Sequence, residues 1–197
     1  MIKRNEVIGV SDCACRRIYK RCERPVHTCL HFGKNMIEFE TGRGGRMKAT
    51  SYEDALSISD MAEEAGLIHT TPGNNASVPG VICNCCDDCC STFEPAFQSG
   101  RLREVVAPSR FKAVVDQELC KGYQVCVGRC FLDAIQMLKV PNSKKMKAAV
   151  DAEKCMGCSS CVVGCKAKAM TFEVARPPEF IPPKPAAPPA RMVYNLK

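Results

Sequence analysis

The chain contains no tryptophan, and aromatic side chains make up only 6% of its 197 residues. No stretch approaches the roughly 18 consecutive apolar residues that a membrane-crossing helix needs, so no transmembrane segment is expected. The first residues, MIKRNEVIGVSDCAC, hold no apolar run with a small-residue cleavage site, which argues against a secretory leader. The glycine-rich GRGGR at 42–46 lacks both the strand-to-helix frame and the GK[ST] ending of a phosphate loop, and reads as a turn. There is no Ser/His/Asp grouping and no paired-carboxylate arrangement to carry hydrolytic chemistry. No catalytic residue is therefore assigned.

What the chain has in excess is cysteine: sixteen of them. Such a load serves either a secreted disulfide scaffold or the ligation of metals and clusters. Tight runs such as ICNCCDDCC at 82–90 place neighbouring thiols badly for stapling distant strands. Ligation is the better reading, and with it a reducing, cytoplasmic and anaerobic setting.

The runs have order. Residues 111–175 hold two similar halves offset by 35 residues, VVDQELC at 114–120 aligning with AVDAEKC at 149–155. The second half carries Cys155, Cys158, Cys161 and Cys165 as C-x2-C-x2-C-x3-C, and the first carries Cys120, Cys126 and Cys130 in the same frame with Tyr123 at the second position. This region resembles the bacterial two-cluster ferredoxins, whose cysteine runs wrap 4Fe–4S cubes. The resemblance implies two antiparallel strand pairs near 112–115, 134–138, 147–150 and 170–174, with two short helices and a pseudo-twofold. It also implies that each cube takes three cysteines from one run and the fourth from the other. One set, Cys155, Cys158, Cys161 and Cys130, is complete. The other comprises Cys120, Cys126 and Cys165 with Tyr123 in place of a thiolate. That site admits a 3Fe–4S core, a cube with an oxygen ligand, a cysteine recruited from 83–90, a ring that simply covers the site, or no cluster. In the ferredoxins a proline usually follows each run; Phe131 and Lys166 stand there instead.

Nine further cysteines lie upstream: Cys13, Cys15, Cys22, Cys29, Cys83, Cys85, Cys86, Cys89 and Cys90. Cys13 and Cys15 form a C-x-C suited to two corners of one site on a turn. Spacing does not reveal the grouping. One or two further clusters, three or four in the whole chain, is one reading, and tetrahedral zinc at the Cys86–Cys89 knuckle is the alternative. His27 and His31 read as polar neighbours rather than ligands. Residues 51–65 form the clearest helix. Ser51 and Asp54 have capping-box spacing, the apolar face is Ala55, Leu56, Ile58, Met61, Ala62 and Ala65, and Gly66 suits a left-handed stop. The order CxCR, C-x6-C, EEAGL-x-H and ICNCC (Cys13, Cys15, Arg16, Cys22, Cys29, Glu63 to Leu67, His69, Ile82 to Cys86) resembles a class of 4Fe–4S-binding proteins of anaerobes.

The layout expected is α+β. A cysteine-rich domain with one clear helix spans 1–92, a linker 93–110, the ferredoxin-like module 111–175, and an extended proline-rich tail 176–197. Phe93, Phe97 and Leu102 are placed to pack the two halves together. The formal charge of +7 resides in short clusters at 16–21, 42–48 and 139–147. Thiolate-bound cubes carry about −2 each, so the basic residues read as ligand compensation and as docking for an acidic partner rather than a nucleic-acid footprint. The function expected is electron transfer within a larger anaerobic oxidoreductase complex, held partly by the tail, with no catalysis by this chain alone. The alternatives are an enzyme acting at an open iron, and a cluster-based regulator.

Overall fold

Antiparallel pairing of short strands organises both halves of the chain. The computed structural model describes residues 2–34, 47–71, 80–141 and 144–177. The GRGGR turn, the 72–79 loop and most of the proline-rich tail lie outside the described residues.

After a single 3-10 turn at Ile2–Arg4 come β1 (Ile8–Asp12), α1 (Ala14–Tyr19), β2 (His27–Phe32), β3 (Lys48–Thr50), α2 (Tyr52–Glu64), β4 (Ile68–Thr70) and β5 (Val81–Cys85). These five strands form one sheet in the order β3-β1-β2-β5-β4. Ile8, Val10, Leu30 and Phe32 project from its central strands into one core with Ala55 of α2, each large side chain contributing about 1.5–3 kcal/mol of burial.

Helix α2 starts where the sequence asks it to: the Asp54 N–H donates to the Ser51 hydroxyl at 3.0 Å. It stops in a Schellman turn, with Gly66 at φ +76° and the Leu67 and Gly66 N–H groups donating to the Ala62 and Glu63 carbonyls. Its apolar face is narrower than the sequence suggested. Ala55, Ile58, Ala62 and Ala65 pack inward, whereas Leu56 and Met61 are exposed. The inward set follows a 3-4-3 spacing of mostly small side chains, and Leu56 and Met61 lie off that stripe. The amino-terminal half also holds a second helix. α1 begins on the C-x-C segment and ends at Lys20, which is left-handed at φ 50°.

Residues 93–110 contain α3 (Phe93–Gln98) and α4 (Leu102–Val105). Their Phe93, Phe97, Leu102 and Val106 pack with Ile68 on one side and Phe131 on the other. Phe97 and Phe131 meet edge to face with ring centroids 5.2 Å apart.

The repeat then becomes three-dimensional. β6 (Phe111–Val115) pairs with β9 (Met170–Val174), and β7 (Ile135–Lys139) with β8 (Met146–Val150). Each pair thus takes one strand from each sequence repeat. Short helices α5 (Val125–Gly128) and α6 (Ser160–Val163) occupy equivalent places. The turns repeat as well. The Asp116 carboxylate accepts from Glu118 and Leu119 N–H, and that of Asp151 from Glu153 and Lys154 N–H. The chain is accordingly α+β, with several small antiparallel sheets.

The two halves touch closely at glycines. Gly122 (φ +72°) and Gly157 (φ +68°) lie against the backbone where β8 and β6 begin. A Cβ at Gly157 would stand 2.0 Å from the Phe111 carbonyl oxygen, and one at Gly122 2.5 Å from that of Met146. Gly157→Ala is expected to cost roughly 3 kcal/mol or more, from left-handed strain plus a backbone clash. Gly100→Ala, at φ +68° with open space around it, should cost only about 1–2 kcal/mol. Chemical denaturation of the two variants side by side, without oxygen, measures the difference.

Candidate functional site

Pleat parity divides the cysteines of the amino-terminal half. Along β5 and its continuation, Cys83 and Cys85 point to one face and Asn84 and Cys86 to the other, because successive strand residues alternate.

On the first face five thiols form a chain. Cys90 donates to Cys85, Cys85 to Cys83, and both Cys83 and Cys13 to Cys29. Cys29 comes from β2, which pairs with β5. The donations from Cys13 and Cys83 hold the Cys29 thiol far down, at about 3, against the cost of its burial and with help from Arg16. Donation to Cys29 pushes Cys83 up to about 12, and donation to Cys83 does the same to Cys85. The Thr70 hydroxyl lies 3.3 Å from Cys85 Sγ.

On the other face Cys86 meets Cys22, Cys89 and Asp88, whose ligand atoms all lie within 4.8 Å of one another. These residues can bind a metal ion. Burial, then the neighbouring Cys89, Cys86 and Asp88, raise Cys22 to about 12. Burial would raise Asp88 too, but the Cys86 thiol beside it and the positive charge of Arg24 hold it low.

The C-x-C pair does not share a site. Cys13 is buried against Cys29, while Cys15 faces the Ser91 hydroxyl at 3.4 Å near the surface. Cys13 caps α1 and Cys15 lies within it, so two positions turn the side chain about 200° around the axis. The nine cysteines therefore group as five, three and one.

Between the two faces lies Arg16, 2% exposed. Its Nε donates to the Pro25 carbonyl at 2.9 Å, one Nη to the Asn84 carbonyl at 2.7 Å and to Cys86 Sγ at 3.8 Å, and the other Nη to the Thr28 hydroxyl. Asn84, also fully buried, donates to the Thr28 carbonyl and bonds His69 Nδ1, while His69 Nε2 lies 3.0 Å from Glu63. The arginine of CxCR, the asparagine of ICNCC and the glutamate and histidine of EEAGL-x-H are thus one network. His27 pairs with Asp12 and His31 with Ser11; neither belongs to a thiol group as a ligand.

The basic cluster at 16–21 divides between one buried side chain and several at the surface. Arg16 is buried, Arg17 pairs with Asp12 and Arg21 with Glu94. Lys147, from the second basic stretch, donates to the Gln117 and Cys120 carbonyls. The Arg17 and Arg21 side chains remain nearly half exposed in their pairs, and Arg16 alone of the cluster turns inward.

In the carboxy-terminal half, Cys130, Cys155, Cys158 and Cys161 surround a hollow of about 20 Å³. That is close to the room one water occupies, so these side chains would have to spread to admit anything larger. Ser160 lines the same hollow, and its buried hydroxyl has no hydrogen-bond partner among the described residues. Burial, then the other three sulfurs, push Cys161 up to about 12. Arg129 ties this region to α2, its Nε donating to the Ser160 carbonyl and its two Nη atoms to the Glu64 and Glu63 carbonyls.

Cys120, Cys126 and Cys165 line a different cavity of about 580 Å³, with Tyr123, Lys121 and Lys166. Tyr123 is 66% exposed, so its ring stands at the mouth and does not seal it. The Cys83–Cys90 run lies elsewhere: Cys85 and Cys90 pack with Phe93, Phe131 and Cys158, toward the four-cysteine hollow.

Two outcomes follow. Arg16→Lys should destabilise the chain by roughly 2–4 kcal/mol, since one ammonium cannot replace a guanidinium that serves four acceptors; anaerobic denaturation measures it. For the metal-free, reduced protein, the raised thiols (Cys13, Cys22, Cys83, Cys85, Cys90, Cys161) keep their protons in the folded state above about pH 9, where the unfolded chain loses them. Their contribution is complete below about pH 9 and disappears as pH rises toward about 12. The lowered Cys29 works oppositely, its contribution complete above about pH 9 and lost toward about pH 3. The thermal midpoint should therefore peak near pH 8–9 and fall steeply on the alkaline side, where several groups act against one. Compared with known proteins, the sequence matches no family model and no curated protein.

Proposed function

We propose that this chain is an iron–sulfur electron-transfer protein, a relay subunit of a larger oxidoreductase. The observation that carries the reading is the shared packing of Cys85, Cys90 and Cys158 around Phe93 and Phe131. Two cysteine-rich halves meet there through a dry apolar contact, and a relay needs its centres adjacent and shielded from water. The donor sets suit clusters. Four soft thiols at Cys130, Cys155, Cys158 and Cys161, beside an unpartnered serine hydroxyl able to donate to sulfur, are the ligands and the outer hydrogen bond that a 4Fe–4S cube uses. Cys120, Cys126 and Cys165 offer three thiols and suit a 3Fe–4S core, or a cube with an oxygen on its fourth iron. Four of Cys13, Cys29, Cys83, Cys85 and Cys90 would hold a further cube. When bound, such groups store and pass single electrons. The protein's own part is to bury them, donate hydrogen bonds to sulfur and balance their charge with Arg16 and Arg129. Leu119, Tyr123 and Val125, exposed at the rim of the larger cavity, offer an apolar docking edge for a redox partner.

A second reading is enzymatic. The 580 Å³ cavity falls within the range of small-molecule sites, and Lys121 and Lys166 at its wall would favour an anionic substrate at an open iron. Substrate-dependent changes in the cluster spectrum of the isolated protein distinguish it from a pure relay.

Protein purified without oxygen should contain about 11–12 irons per chain, counting two centres in residues 111–175 and one upstream. Its EPR spectrum should include a component that Tyr123→Cys converts to that of an all-thiolate cube. Iron below about four per chain after anaerobic reconstitution would sink the proposal. An unchanged spectrum in Tyr123→Cys would remove any special role for that position.

A further inference from the structure

We propose that Cys22, Cys86, Asp88 and Cys89 form a separate, mononuclear zinc site that staples the amino-terminal half together.

The spacing of the donors is the first argument. A tetrahedral zinc with bonds of about 2.3 Å to sulfur sets its ligand atoms about 3.8 Å apart. Cys22 Sγ and Cys89 Sγ stand 3.8 Å apart, and the four ligand atoms all lie within 4.8 Å of one another. A cube carries its irons at separate corners, so its thiolates must stand further apart than ligands converging on one ion. The five-thiol chain on the opposite face, extended from Cys90 to Cys13, has the looser arrangement that a larger group needs.

The fourth donor is the second argument. Asp88 Oδ1 is shut off from water and has no hydrogen-bond partner among the described residues. Its closest recorded cation is Arg24 at 3.6 Å. The Asp88 side chain is a third exposed, but this oxygen is enclosed and suited to a cation, and carboxylate oxygen is among the ligands zinc takes. Cys86 and Cys89 also supply the C-x2-C knuckle common in structural zinc sites.

The surroundings complete the site. The backbone N–H of Arg21 donates to Cys89 Sγ at 3.4 Å and the Arg16 guanidinium to Cys86 Sγ at 3.8 Å, hydrogen bonds of the sort that hold ligating thiolates in place. Three thiolates and a carboxylate around Zn²⁺ leave a net charge of about −2, and Arg16 and Arg24 are the cations beside it. Cys86 and Cys89 are each 1% exposed, and with Cys22 and Asp88 four protein ligands fill a tetrahedral shell and leave no position for a substrate. A structural rather than a catalytic ion fits that closure. Cys22 comes from the loop after α1, and the other three ligands come from the end of β5 and its turn. The ion would therefore fasten that loop to the sheet.

The test uses the full chain, purified without oxygen, with zinc and iron measured separately by mass spectrometry. About one zinc per chain is expected, and X-ray absorption at the zinc edge should give three sulfurs and one oxygen. Cys22→Ser should lose the zinc while its iron content stays at the wild-type level. Absence of zinc in the wild-type chain, or a shell of four sulfurs, overturns the proposal. So does a Cys22→Ser variant that keeps its zinc and loses iron. The zinc-edge measurement is made on the wild-type chain, so it decides even if the variant fails to fold. A wild-type chain that carries its zinc but fewer than about four irons would instead count against the relay reading alone.

Discussion

The amino-terminal half depends on one buried guanidinium. Arg16 is surrounded by four acceptors from two stretches of chain: the Pro25 carbonyl and Thr28 hydroxyl, and the Asn84 carbonyl and Cys86 sulfur. Burying a full positive charge is costly unless every donor finds a partner and negative charge lies near. Four of the five N–H donors find acceptors, and the lowered Cys29 thiol supplies negative charge nearby. The sheet and the thiol groups are therefore interdependent. The lowered Cys29 thiol favours the buried arginine, and the arginine in turn bonds the strand that carries Cys83 and Cys85.

Legibility in the sequence varied with how local the determining physics is. Helix α2 and its two ends were readable, because Ser51 and Gly66 act on their own neighbours. The strands of 111–175 were also readable, since the 35-residue offset repeats strand, cysteine loop and short helix together. The grouping of the upstream cysteines was not. It turns on parity along β5, which separates Cys83 and Cys85 from Cys86 only once that segment is known to be a strand, and on the pairing of β2 with β5. The alternation in ICNCC was in plain view, but nothing adjacent marked it as extended. The role of Asp88 was missed for the same reason, since Cys22, its neighbour in space, lies 66 residues away in sequence. Phe131 was read as a missing proline; in three dimensions it completes a cluster of rings with Phe93 and Phe97.

Charge tells a similar story. A net +7 invites an external partner, yet Arg16, Arg129 and Lys147 each donate to a backbone carbonyl at or beside a cysteine. Long cationic side chains here act as fastenings for loops that carry sulfur. Arg129 does so between the halves, where the carbonyl end of α2 supplies the negative pole of a helix dipole.

The exchange of strands between the two repeats has a consequence for how the chain is made. Because β6 pairs with β9 and β7 with β8, the first repeat leaves its own strands unpartnered with one another. A ribosome releasing this protein has emitted Phe111 long before Met170, so β6 must wait for the end of the module before it has a neighbour. Cys130 likewise waits for Cys155, Cys158 and Cys161. The β6–β9 pair can close only once Val174 has been made, and until then the seven cysteines of residues 111–175 are held in an unfinished module. Through that interval its thiols stand open to oxidation, without the β6–β9 sheet to hold them.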